Sequence, residues 1–240
     1  MNYFKGKFSG FYKLTRVGAI MEFFPMLMIV SIIVSRSQIN FILFTSIIVN
    51  FVLLLIAFAI NDIADAEDDA LDPDKVNRNP ISAKIISKEQ GYVFLLILII
   101  LSLGLLILLS EYMVLIMGIL ILIVGLMYSL GPIRLKARPF LDLISHGFFL
   151  AGGQVIFFGL LPQSKLDSFT FLAAIGIFLF SVGGDLFNEV RDWKVDRQVG
   201  INNTASIIGY NTSNILVNLF KIIGVIMIAI SIIAIVLLRK

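Results

Sequence analysis

An all-α, polytopic membrane bundle is the fold class predicted for this 240-residue chain, and three observations predict it: 59% of the residues are hydrophobic, only 15% are charged, and the apolar residues gather in long windows. A hydrocarbon core of roughly 30 Å takes about 20 helical residues to cross. Seven windows of that kind fall at about 17–35, 41–60, 92–110, 112–130, 141–161, 168–187 and 211–238. Met1 to Arg16 is polar and aromatic and is followed by many more spans, which argues against a cleaved signal peptide. No linker, low-complexity stretch or composition break divides the chain, so residues 1–240 are expected to form a single membrane-embedded domain.

Lys and Arg in short loops mark the cytoplasmic side of a membrane protein. With the N-terminus inside, Lys5, Lys7, Lys13, Arg16, Lys75, Arg78, Lys84, Lys88, Arg134, Lys136, Arg138, Arg191, Lys194 and Arg197 share the inner face. Arg36, Lys165, Arg239 and Lys240 fall outside, and Lys221 lies within the last span. This bias predicts a multi-pass protein of the cell membrane whose N-terminus and longer loops are cytoplasmic. The absence of cysteine excludes disulfides, thiolate metal sites and thiol catalysis, and a single histidine, His146, excludes a multi-histidine site. The net charge of +3 favours contact with anionic lipid heads or an anionic substrate. No basic stripe interleaved with aromatics points to nucleic acid.

Two acidic clusters break this apolar background, each just past the end of an apolar run. The first is Asn61-Asp62-Ile63-Ala64-Asp65-Ala66-Glu67-Asp68-Asp69-Ala70-Leu71-Asp72, and the second runs from Asp185 through Asn188, Glu189, Arg191 and Asp192 to Asp196. On a helix Asn61, Asp65 and Asp69 share one face, joined by Asp62; Asp185, Glu189, Asp192 and Asp196 share another. The first helix is expected to stop near Leu71, ahead of Pro73, and the second before Gly200. Asp68, Asp72 and Asp74 are expected to face solvent. A weak internal symmetry is visible, since twice an apolar helix ends in acids and a polar stretch, Ser82 to Gln90 or Thr204 to Thr212, leads to the next span.

Carboxylates stacked on one face repel each other and call for a cation. Hard oxygen donors without His or Cys suit Mg2+, which keeps several waters and is completed by phosphate oxygens. Two such faces on neighbouring helices can hold metal between them with a diphosphate as the bridge. Lys75, Arg78, Arg134, Lys136, Arg138, Arg191 and Arg197 stand ready to attract it, Arg by forked donors and Lys as a point charge. The lipid-like remainder of such a substrate would run into the apolar bundle.

These residues resemble a family. Asn61-Asp62-x-x-Asp65-x-x-x-Asp69 is similar to the first signature of the UbiA superfamily of intramembrane prenyltransferases, and Asp192-x-x-x-Asp196 to its second. Tyr128-Ser129-Leu130-Gly131-Pro132-Ile133-Arg134-Leu135-Lys136, Arg197 to Gly200, Thr204 and Gly209 add to the resemblance, which covers about residues 10 to 220. It implies Mg2+-dependent transfer of a polyprenyl group from an isoprenyl diphosphate donor to a lipophilic or aromatic acceptor, by ionisation of the diphosphate and attack on the allylic cation. By position, it implies metal at Asn61, Asp62, Asp65, Asp69, Asp192 and Asp196. Donor binding falls to Asn61, Arg78, Tyr128, Arg134, Lys136, Asn188 and Arg197, and catalysis to Asp65, Asp192 and Lys136. A quinone precursor, a glyceryl ether phosphate, a porphyrin and a carotenoid all suit the acceptor pocket. The superfamily commonly has nine transmembrane helices against seven windows here, so the chain is expected to be a minimal form or to lack C-terminal helices. The family's usual Arg-Pro after the first motif stands here as Arg78-Asn79-Pro80.

A cation transporter using the same acids fits less well, because its ionisable residues belong near mid-membrane. A CDP-alcohol phosphotransferase would carry a Gly and an Arg inside one compact aspartate motif. His146 reads as a hydrogen-bonded structural histidine in preference to a catalytic base. Glu22 is expected to face the bundle, against the acceptor or a partner such as Gln154. Lys221 is expected to snorkel or pair internally.

Overall fold

In the computed structural model, backbone is described for residues 2–199 and 202–237, and side chains for 6–193 and 202–237. All regular structure among these residues is helical. A surface helix α1 (Asn2–Leu14) precedes α2 (Val17–Ser35), α3 (Phe41–Ala64), a single turn α4 (Ala66–Asp69), α5 (Lys88–Leu108) and α6 (Tyr112–Ser129). After a 3-10 turn at Leu135–Ala137 come α7 (Leu141–Gly147), a widened π turn (Phe148–Gly152), α8 (Gly153–Gly159), α9 (Ser168–Val199), α10 (Thr204–Ile208) and α11 (Tyr210–Leu237). Seven helices are long and apolar enough to cross a membrane, at Val17–Ser35, Phe41–Ala64, Lys88–Leu108, Tyr112–Ser129, Leu141–Gly159, Ser168–Trp193 and Tyr210–Leu237. These are the seven windows of the sequence, the sixth extended by the polar second motif that the hydropathy pattern had clipped.

The spans alternate in direction, so their connections fall on two faces. On one face the chain is tied closely. Asp167 caps α9 by accepting from the N–H groups of Phe169 and Thr170, both at 3.1 Å, and takes the Arg36 guanidinium on its other oxygen. Burial alone would raise its carboxyl, but the Thr170 N–H and Arg36 hold it below the usual carboxylate range. Ser37 and Ser164 share a hydrogen bond of 2.8 Å, and Thr170 Oγ1 donates to the Val34 carbonyl at 2.9 Å. The other face carries both acidic clusters and all the longer loops. A capping box of Ser87 and Gln90 starts α5 there, and Asn203 caps α10.

The main core is built from α2, α3, α5, α6, α8 and α9 around fully buried Ile20, Leu54, Ile60, Phe157 and Phe158. A smaller cluster of Leu143, Val182, Leu186, Ala205 and Val217 joins α7, α9, α10 and α11 beneath the second motif. Lipid tails are as apolar as the side chains they would replace, so helices in a membrane associate through close packing at small residues. The α9–α11 contact shows this. A Cβ built on Gly176 would stand 2.7 Å from the Gly224 carbonyl oxygen, and one on Gly224 would stand 2.5 Å from that of Gly176.

Two expectations are corrected. Glu22 is exposed on α2 instead of facing the bundle. It follows Val17 by five residues, about 8 Å along the helix, so its side chain can reach the polar headgroup layer. The first acidic segment is also not one straight helix: α3 ends at Ala64, Asp65 takes φ −91° and ψ 2°, and α4 starts afresh at Ala66. Lys221 does pair internally, its ammonium lying 4.9 Å from the centroid of the Phe187 ring.

Gly224→Ala is expected to lower the midpoint of thermal unfolding in detergent, by the equivalent of about 1–3 kcal/mol, because a backbone carbonyl cannot move aside. Gly104→Ala, where a Cβ meets nothing within 4 Å, serves as the control and should leave the midpoint unchanged or raised.

Candidate active site

Asn61 and Asp62 occupy the last turn of α3, about 100° apart around its axis, and they face different partners. Asn61 Oδ1 accepts from Lys136 Nζ at 2.9 Å and from Ser129 Oγ at 3.1 Å. One turn later Asp65 receives Lys136 Nζ on one oxygen at 2.5 Å and Arg134 on the other at 3.2 Å. Arg134 also reaches Asp68 at 3.2 Å. Both cations come from the turn after α6, which the Arg134 N–H closes on the Leu130 carbonyl at 2.7 Å. Arg134 holds the left-handed φ of 37°, a conformation that costs a non-glycine residue on the order of 1–3 kcal/mol. Burial pushes the Lys136 ammonium below its ordinary value, against the opposing pull of Asp65.

Asp62 and Asp69 turn away from that group. Asp62 is fully buried and its carboxylate is paired with the Arg16 guanidinium from the start of α2. Asn79 Nδ2 donates to the Asp62 carbonyl at 2.7 Å and to Asp69 Oδ2 at 2.9 Å. The break at Asp65 therefore divides the expected single face into two pairs, Asn61 with Asp65 and Asp62 with Asp69. Arg78 is exposed and adds positive charge near Asp62. Glu67 is a surface residue paired with Lys88 at 2.8 Å.

The second cluster also divides. Asp185 lies 3.4 and 3.5 Å from the Tyr128 hydroxyl, which donates to it, and its Oδ1 is 3.8 Å from His146 Nε2. Glu189 accepts the Ala205 N–H at 2.7 Å. Asp142 accepts the Thr204 N–H at 2.7 Å and its hydroxyl at 2.5 Å, so α10 is docked on two buried carboxyls. Asp192 is half-exposed and pairs with Arg191 at 2.9 Å, while Asn188 is exposed. The side chains of Asp196 and Arg197 lie outside the described residues.

Neighbouring residues at the end of α6 join the two clusters: Ser129 bonds Asn61 on α3, and Tyr128 bonds Asp185 on α9. Sequence reasoning passed over Arg16, Asn79 and Asp142. Arg16 counted only as one inner-face charge. Asn79 carried a signal in its place between Arg78 and Pro80, and Asp142 in being an acid at the start of an apolar span.

Among the described residues no three acidic, histidine or cysteine groups converge as a ready cage for a metal. The donor set of carboxylate and amide oxygens nevertheless fits Mg2+, which is usually held by one or two carboxylates and completed by water and phosphate. The cations gathered at Asp65 compensate its charge and present N–H donors beside it. A patch of this kind can grip an anion and a hard cation together.

The family model for the UbiA prenyltransferase family matches residues 23–239. A lycopene elongase/hydratase of Haloarcula japonica is 29% identical over 162 residues, which cover 63% of this chain and 49% of that protein. A lycopene elongase/hydratase of Haloferax volcanii is 23% identical over 158 residues, covering 63% and 48%. This chain thus spans about half the length of these curated relatives. Among solved structures, a UbiA homologue from Archaeoglobus fulgidus bound to GPP and Mg2+ superimposes with a TM-score of 0.74 at 19% identity, over 92% of this chain and 77% of that one. That likeness is one of fold, and the family match runs from within α2 through α11. The chain belongs to the UbiA prenyltransferase family.

Proposed function

We propose that the chain transfers a polyprenyl group from an isoprenyl diphosphate to a lipophilic acceptor, with Mg2+, at the cytoplasmic face of the cell membrane. The observation that carries this reading is the single turn of α6 whose Tyr128 and Ser129 touch both acid helices, with Lys136 on Asn61 and Asp65 beside it. Family membership supports the reaction class. The Mg2+ and GPP in the Archaeoglobus fulgidus structure support the metal and the donor. The names of the two curated relatives favour a carotenoid-type polyene acceptor over a quinone precursor, a glyceryl ether phosphate or a porphyrin.

In this reading Asn61 at the end of α3 and Asp65 at the break after it, with Asp192 and Asp196 on α9, would hold the metal. Asp62 and Asp69, taken up by Arg16 and Asn79, keep the first motif in shape. Bound Mg2+ supplies a Lewis acid that neutralises negative charge on the leaving diphosphate. Lys136 and Arg134 direct N–H donors at the same departing charge, Arg78 and Arg197 are assigned to add to the field, and Asn188 to bind the donor from the exposed side of α9. Tyr128 and Phe149, with ring centroids 5.2 Å apart, offer aromatic faces to the allylic cation. The apolar core excludes water that would otherwise quench it.

Purified full-length chain given isoprenyl diphosphates, lycopene and Mg2+ should release diphosphate and form a prenylated product, and EDTA should stop both. Release of no diphosphate from any donor, or release unaffected by EDTA, would sink the reading. Asp65→Ala is expected to lower turnover at least about 100-fold, the scale of losing one preorganised electrostatic group; wild-type turnover would remove Asp65 from the metal site. Lys136→Met should cost a similar factor in kcat/KM for the donor, measured by initial rates, and leave the unfolding midpoint within a few degrees of wild type.

A further inference from the structure

We propose that His146, backed by Asp185, is the base that takes the proton released when the acceptor is alkylated. The assignment rests on the transferase reading above and adds the group that finishes the reaction.

His146 is the single histidine of the chain and lies within the span Leu141–Gly159. An ionisable group inside a span marks function more often than packing, and its partner can be named. His146 Nδ1 is 3.1 Å from Ser181 Oγ, whereas Nε2 has no hydrogen-bond partner among the described residues. Its side chain keeps 17% of its surface accessible. In the tautomer this role requires, Nδ1–H donates to Ser181 Oγ and the lone pair lies on Nε2.

Three carboxyls approach this region from α7 and α9. Asp142 is committed to Thr204 and Glu189 to the Ala205 N–H. Asp185 is left to Tyr128 and to His146 Nε2, 3.8 Å away. A carboxylate at that distance stabilises the imidazolium without blocking the neutral ring from accepting a proton. The imidazole ring also packs against Phe149 and Tyr128, with centroids 5.9 Å apart in each case, so it stands among the aromatic faces assigned to the allylic cation. The π turn Phe148–Gly152 begins two residues after His146, and the Gln154 side chain from α8 donates to the Phe149 carbonyl of that turn at 3.0 Å. Such widened turns recur at functional sites.

The balance needs a base. The donor's allylic C–O bond breaks and its electron pair leaves with the diphosphate, while a π pair of the acceptor forms the new C–C bond. The acceptor cation is then discharged either by its own C–H pair, which restores unsaturation, or by a water whose oxygen pair forms a C–O bond, and the proton released in either case passes to His146 Nε2. Lys136 and Arg134 are engaged with Asp65 and carry no free lone pair there. In the described neighbourhood of Tyr128 and Asp185, His146 supplies an imidazole nitrogen that the ion pairs do not occupy.

The test measures prenylated product formed per diphosphate released, using the full chain with Mg2+, donor and lycopene. In His146→Gln, whose amide can still bond Ser181, the ratio should fall at least about tenfold, with water-quenched donor in place of the prenylated product. Asp185→Asn, which keeps a partner for Tyr128, should move the ratio the same way and serves if His146→Gln folds poorly. A ratio equal to wild type in both variants, or an equal loss of release and transfer at an unchanged unfolding midpoint, overturns the assignment alone. A wild-type protein that releases no diphosphate overturns the transferase reading and this assignment together.

Discussion

Both acidic motifs crowd carboxylates at one boundary of the bundle, the first at the C-terminal end of α3 and the second in the latter half of α9, and the rest of the site is shaped by that constraint. The last carbonyls of α3 already carry partial negative charge, equivalent to roughly half an elementary charge for a whole helix. Adding carboxylates there is the unfavourable arrangement, and it occurs at a membrane boundary where water screens poorly. Each acid must therefore be compensated individually, by a cation or by backbone N–H groups. Arg16 does this for Asp62, Lys136 and Arg134 for Asp65, Arg191 for Asp192, and the start of α10 for Glu189 and Asp142. Two of these cations, Arg16 and Arg134, hold left-handed backbone beside their acids.

The two faces of the bundle are held by different physics. Away from the motifs, neutral hydroxyl contacts and the capped, charge-paired Asp167 fasten short connections, and the glycine seam between α9 and α11 locks the helices below them. At the motif face the contacts are ionic and come from long loops. Such contacts can exchange partners: a diphosphate offers Lys136 and Arg134 the same charge that Asp65 offers them now. A rigid distal face with an exchangeable ionic one suits a site in which an anion must enter and leave without loosening the bundle.

The spans were legible because hydrocarbon imposes a length and a composition on any helix that crosses it, and the acids were legible because so little else in the chain is charged. The break at Asp65 was not legible, since the residues before and after it all favour a helix and the deviation is enforced from outside by Asn79 and the 131–136 turn. Arg16 was hidden by its surroundings: in a sequence ruled by the positive-inside bias, a cation that neutralises a buried acid looks like any other inner-face charge. Glu22 was misjudged because depth along a helix, and not membership of a span, decides what a long side chain can reach. For His146 the residue type was visible, but its neighbours Ser181, Asp185, Tyr128 and Phe149 are set only by the fold.

The same geometry explains why the donor and acceptor halves of the chemistry can be kept in register. Tyr128 and Ser129 are consecutive, so about 100° of helical rotation separates them, and they point to different helices. Ser129 fixes Asn61 and through it Lys136; Tyr128 fixes Asp185 and through it the field at His146. A displacement of the end of α6 would shift both groups at once. On the proposed reading, the point where the diphosphate leaves and the point where the proton leaves are then held at a constant separation by one turn of backbone. An allylic cation, which reacts with whatever is nearest, needs that constancy more than it needs any additional attraction.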